Sequence, residues 1–246
     1  MTHPTRARMI KAGVGLFVAM TLGAAAMSAP RTESGRTLVV SPEIAQRGRV
    51  YYVLPDRDAQ IVYTSDAPLE RVVGVSTRAV GYVVASEDSG DRASLLTGEL
   101  RLPTASLNTG LLLRDEQLQS GRWFDAEDHP DLVFTLDHTE NVSPSESTKS
   151  VETWSVDLVG ALTVKGETHP LRASATVTLS PESQITRRRS PGDLMVIRSV
   201  FPVNLRQFGI NDPAMSAGRF AESVSVDVYL MLSTVSPDSP ANNRRP

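Results

Sequence analysis

The chain has 246 residues, 40% of them hydrophobic, and a formal net charge of −3 from 25 basic and 28 acidic side chains. That balance argues against a nucleic-acid-binding face, which needs clustered cations; the one basic run, Arg187 to Arg189, lies in a polar stretch. There is no cysteine, which rules out disulfides, thiolate metal sites, a cysteine nucleophile and a lipidated cysteine, so the core alone must hold the fold.

In chain order, Arg6, Arg8 and Lys11 precede a Gly- and Ala-rich apolar stretch at 12–27, with Ala24 and Ala26 as small residues for cleavage. The stretch is shorter than the roughly 20 residues that span a bilayer. Residues 1–26 are therefore expected to be an export signal, with an uncleaved anchor as the alternative. Both place the rest of the chain outside the cytoplasm, in the periplasm or secreted. Residues 27–48 are polar and aperiodic and predict a linker. Residues 234–246, rich in Pro, Ser and Asn, predict a disordered tail.

Between these ends the period is two. Leu132, Phe134 and Leu136 share one face of a segment, and Trp154, Val156, Leu158, Leu162 and Val164 share one face of the next. Leu171, Ala173, Ala175, Val177 and Leu179 follow, and then Val224, Val226, Val228, Leu230 and Leu232. Such alternation predicts antiparallel strands with one dry face and one wet face. Further strands are expected at 49–54, 59–64, 70–85, 94–102 and 194–205. Strands this long leave long edges, which a closed barrel removes; a sandwich buries the same face, and periodicity alone does not separate the two. The runs at 141–150 and 180–193 read as polar loops.

One segment departs from the alternation. Leu111, Leu112 and Leu118 have near-helical spacing, Asn108 and Thr109 precede them as candidate caps, and Gly121 follows. A short helix is expected here, laid by its leucines against one end of the strands, with Trp123 and Phe124 wedged beneath. Of the three histidines beyond the N-terminal region, His129 and His138 flank one strand and point apart, so no metal site is expected, and His129-Pro130 and His169-Pro170 read as turns leading into strands. There is no G-x-S-x-G elbow, P-loop or dinucleotide fingerprint, and no carboxylate pair stands out. No catalytic residue and no cofactor is expected.

Three blocks, LNTGLLLRDEQLQSGRWFDAEDHPDLVF at 107–134, VGALTVKGETHPL at 159–171 and VNLRQFGI at 203–210, resemble in order and spacing the motifs of the YceI-like family of lipocalin-like lipid-binding proteins. The resemblance runs over about residues 49–233. It implies an all-β, antiparallel, lipocalin-like β-barrel of about eight strands with a short capping helix. It also implies an exported, non-enzymatic carrier of a long apolar chain, isoprenoid- or quinone-like or fatty-acyl, and contact with a membrane for ligand exchange. Oligomeric state is left open, a dimer included.

On that reading the ligand-binding candidates are Leu111, Leu112, Leu118, Trp123, Phe124, Phe134, Trp154, Phe201 and Phe208. Arg114 and Arg206 are candidates for an oxygen-rich headgroup, or else structural ion-pair partners. Small inward residues, Gly98, Gly160, Ala173 and Ala175, are expected to leave room for the ligand. Two other readings remain open from the residues alone: an extracytoplasmic all-β hydrolase, and an envelope interaction module whose barrel is filled.

Overall fold

The computed structural model describes residues 38–56, 58–88, 93–148 and 150–240, all within the compact unit Ser34–Pro246. The expected export signal lies outside them. Where a linker was expected, Pro42–Ala45 forms one helical turn (α1), capped by Ser41. Ten strands follow: β1 Arg49–Val53, β2 Ile61–Asp66, β3 Arg71–Ser76, β4 Val80–Ala85, β5 Leu95–Pro103, β6 Asp131–Pro144, β7 Glu152–Val164, β8 Glu167–Ser180, β9 Leu194–Asn204 and β10 Ser223–Ser233. Two more short helices, α2 Leu112–Gln119 and α3 Pro213–Ser216, sit in connections.

The sheet order is β1-β4-β5-β6-β7-β8-β9-β10, and β1 also pairs with β10, so these eight antiparallel strands close into a barrel. The hairpin β2–β3 continues the wall beside the other half of β10. Along β10, Tyr52 and Val53 pair with Ser233 and Leu232, and Ile61 to Thr64 pair with Val228 to Ser225. β1 and β2 thus act as one barrel strand interrupted at 54–60. β3 and β4 make a second one, interrupted at 77–79, where a single strand was expected over 70–85.

Gln60, 1% exposed, holds both interruptions. Its Nε2 donates to the Leu54 carbonyl at 3.1 Å, and its Oε1 accepts from the Ala79 amide at 2.9 Å. A buried amide that satisfies two broken strand edges at once replaces ladder bonds whose loss would each cost about 1–3 kcal/mol.

The alternating residues behave as the pattern requires. On β7 to β10 the inward set includes Val156, Val177, Leu179, Met195, Ile197, Leu230 and Leu232, all buried. The β7–β8 hairpin turns through Lys165 and Gly166, both at positive φ (50° and 78°), the requirement of a two-residue type I′ turn that preserves strand twist. β6 is longer than the apolar run suggested. It continues to Pro144 through two register irregularities, with Asn141 at φ 52°, and takes in residues expected to form a loop.

One end of the barrel is closed by the β5–β6 and β9–β10 connections. Trp123 is 2% exposed and meets Phe220 edge-on with ring centres 4.7 Å apart. Leu118, Phe208, Ile210 and Met215 are buried around them.

Candidate functional site

Below this plug lies a cavity of about 170 Å³ inside the barrel. An engineered core cavity of roughly 150 Å³ suffices to stay dry and take a benzene ring, so the space is large enough for a hydrocarbon. The wall draws on every barrel strand. Leu100, Phe134, Leu162, Leu171, Phe201 and Val226 are among the lining residues, and each keeps some exposure despite pointing inward. Four polar residues are among those that border the cavity. Ser199 Oγ is engaged by the Ser174 carbonyl at 2.8 Å, and Glu99 by Arg101 Nε at 2.5 Å. Tyr82 and Tyr63 complete the set.

Tyr63 was not singled out from the sequence. Its hydroxyl is buried without a hydrogen-bond partner. Burial, reinforced by the nearby Asp115 charge, pushes the phenol well above its ordinary pKa, so it stays neutral. The ring lies across Gly74, where any Cβ would approach it within 2.1 Å; this Tyr–Gly pairing across adjacent strands was the available signal.

The candidates separate. Phe124, Phe134 and Phe201 face the cavity. Leu118, Trp123 and Phe208 are buried in the end plug rather than in the cavity wall. Trp154 is half-buried near the far end of β7 and, like Trp123, keeps its indole nitrogen without a partner.

Leu111 and Leu112 correct the expectation of a helix laid by these leucines against one end of the strands: they are 54% and 73% exposed, and Leu113 is 80% exposed. The cause is a shifted helix start. Leu111 is itself the N-cap, with no capping side chain. Asn108 turns to the Gly110 amide at 2.7 Å, and Thr109 donates to Asp115 Oδ1 through both its amide and its hydroxyl, at 2.8 and 2.6 Å. The helix ends at Gln119, before Gly121, with Ser120 as C-cap. The leucines therefore rotate outward, and the buried side of α2 is carried by Asp115 and Leu118.

Neither arginine reaches the cavity. Arg114 pairs with Glu70 on the β2–β3 turn, tying α2 to the barrel. Arg206 bonds to Glu222 at 2.6 Å and to Asn211 at 3.0 Å on the outer surface, and its pKa is raised by the Glu222 hydrogen bond. Both are structural ion pairs here.

The small inward residues also divide. Gly98 and Ala173 border the cavity, whereas Ala175 is packed away from it. Gly160 reflects close backbone approach: a Cβ there would sit 2.1 Å from the Thr135 carbonyl oxygen. Among the described residues no cluster of three or more His, Asp or Glu could hold a metal ion.

A family model, the YceI-like domain, matches residues 56–233. The chain belongs to the YceI-like family. Solved relatives share the fold at low identity. The BcnA structure from Burkholderia cenocepacia is 16% identical with a TM-score of 0.52, over 70% of this chain and 95% of that one. A polyisoprenoid binding domain from Saccharophagus degradans, described as implicated in plant cell wall breakdown, is 11% identical with a TM-score of 0.52, over 75% of this chain and 98% of that one. No curated protein matches the chain.

Proposed function

We propose that this YceI-like protein is an exported, non-catalytic carrier that sequesters the long apolar chain of an isoprenoid-like or fatty-acyl lipid inside its barrel. The observation that carries this reading is the cavity itself: a space of about 170 Å³ inside the barrel with an almost wholly apolar wall. A polar substrate gains nothing from such a wall, whereas each methylene moved there from water contributes about 0.8 kcal/mol. Ten of them give about 8 kcal/mol before ordering costs, the scale of a micromolar complex. The polyisoprenoid binding described for the Saccharophagus domain fits the same chemistry.

Exchange with a membrane is part of the proposal. Leu69, Leu111, Leu112 and Leu113 are all more than half exposed, and the Arg114–Glu70 pair brings their two segments together. They form an apolar patch at the plugged end, which is a surface suited to a lipid headgroup region.

Native mass spectrometry of protein purified without detergent tests the reading. A co-purifying lipid, or a one-to-one mass increase on adding a prenyl quinone or a fatty acid, is expected. A mass that remains that of the bare chain with every such lipid refutes it.

A further inference from the structure

The barrel wall has a gap. β8 and β9 pair only from Ala175↔Ser199 to Ser180↔Leu194. β8 continues back to Glu167 and β9 runs on to Asn204, so 167–174 and 200–204 are strand with no ladder between them. Each is held by its other neighbour alone, β7 or β10.

The sequence explains why the fork stays open. Tyr229 donates its amide to the Gln60 carbonyl, so odd-numbered residues of β10 turn their backbone groups toward the first barrel strand and even-numbered ones toward β9. Through the register Val226↔Phe201, it is the even-numbered residues of β9 that face β8. Pro202 is among them. By the register Thr176↔Arg198, Pro170 on β8 likewise faces β9. Both strands therefore present a proline, without an N–H, where the missing rungs would be.

The fork has two fixed margins. At its apex the Ser199 hydroxyl takes the Ser174 carbonyl at 2.8 Å, a side-chain bond in place of the first absent ladder bond. At its foot His169 meets Phe208 edge-on, ring centres 5.0 Å apart. Leu171, Ala173, Phe201 and Val203 on its two sides belong to the cavity wall. On the outer face the apex opens into a polar groove formed by Asn141, Ser155, Asp157, Ser174, Arg198 and Asp227, with Ser199 common to groove and cavity. The groove holds more negative than positive charge: Asp157 accepts from Asn141, Ser174 and Arg172, Asp227 adds a second carboxylate, and Arg198 lies over the Tyr229 ring at 4.9 Å.

We infer that the apolar chain passes sideways into the barrel between β8 and β9, and that its polar end comes to rest in this outer groove. The inference rests on the lipid-carrier reading and adds its route and its head site. A groove with hydrogen-bond donors and acceptors, in which two carboxylates, Asp157 and Asp227, stand against one lining arginine, Arg198, suits an uncharged hydrogen-bonding head such as a hydroxyl better than a phosphate.

Two experiments test it. The first is stopped-flow uptake of dansyl-labelled undecanoic acid, read by energy transfer from the tryptophans, in Ser174→Cys/Val200→Cys and in a control across an intact rung, Thr163→Cys/Thr168→Cys. With its disulfide formed, the fork variant should slow uptake and release about tenfold or more, recovering on reduction, while the oxidised control keeps wild-type rates. Unchanged rates in the oxidised fork variant overturn the route while leaving lipid binding intact; failure of the wild type to take up the probe instead sinks the carrier reading. The second needs no disulfide. Hexadecanol carrying a diazirine beside its hydroxyl should label residues around 155–157, 174–176 and 198–200. Labelling confined to the end plug or to the opposite barrel rim overturns the head site.

Discussion

The two halves of β8 and β9 obey one alternating pattern and meet different ends. From 175 to 180 and from 194 to 199 the strands are zipped together, and Val177 and Met195 lose all exposure. From 167 to 174 and from 200 to 204 the inward residues include Leu171, Ala173, Phe201 and Val203, and of these Leu171 and Phe201 stay partly exposed. Hydrophobic alternation says which way a side chain points; whether it is packed depends on the strand beside it. The zipped half supplies stability and the forked half supplies space.

Truncations in the two halves should therefore diverge. Met195→Ala should cost about 2–5 kcal/mol, as large-to-small changes in a close-packed core do, and lower the melting temperature by several degrees without a specific effect on bound lipid. Phe201→Ala borders space that is already empty, so it should cost under about 1.5 kcal/mol while weakening lipid binding by about tenfold. Equal stability losses at the two positions would erase the distinction. At the boundary, Ser199→Ala leaves the Ser174 carbonyl without its partner and should cost about 1 kcal/mol. Hydrogen exchange should rise around 174–176 and 198–200 and remain unchanged in the β6–β7 ladder.

The smallest effect concerns the outer groove. The hydrogen bonds from Asn141, Ser174 and Arg172 hold the Asp157 carboxyl below its ordinary pKa. A depressed folded-state pKa gives stability that is present above the unfolded value and lost as pH falls through the folded one. Asp157→Asn should thus lower stability slightly at neutral pH, by a small amount because the carboxyl lies at the surface, and the deficit relative to wild type should shrink as the pH falls below about 4. A large loss at neutral pH would show that the groove is structural cement.

Much of the barrel was legible because its strands are long and amphipathic, so a period of two survives over ten or more residues in β7, β8 and β10. The interruptions at 54–60 and 77–79 were harder to read because they depend on Gln60, whose amide acts on residues distant in sequence. The site was legible only in part. Phe134 and Phe201 follow from strand parity, and Phe124 from its place beneath the expected helix. Leu111 and Leu112 misled because helical spacing does not set helical phase; Asp115, by drawing in Thr109, decided which side of α2 faced the barrel. The fork was written in Pro170 and Pro202, but a proline in a strand has meaning only once its neighbour and register are known.

The most direct test of the central claim is to fill the cavity. Ala173 is buried on its wall opposite Leu158. Ala173→Phe should place a ring in the empty volume, keep or raise the melting temperature, and weaken binding of dansyl-labelled undecanoic acid by at least about tenfold relative to wild type. Binding of that probe at wild-type affinity by a well-folded Ala173→Phe protein would mean that the lipid does not occupy the barrel.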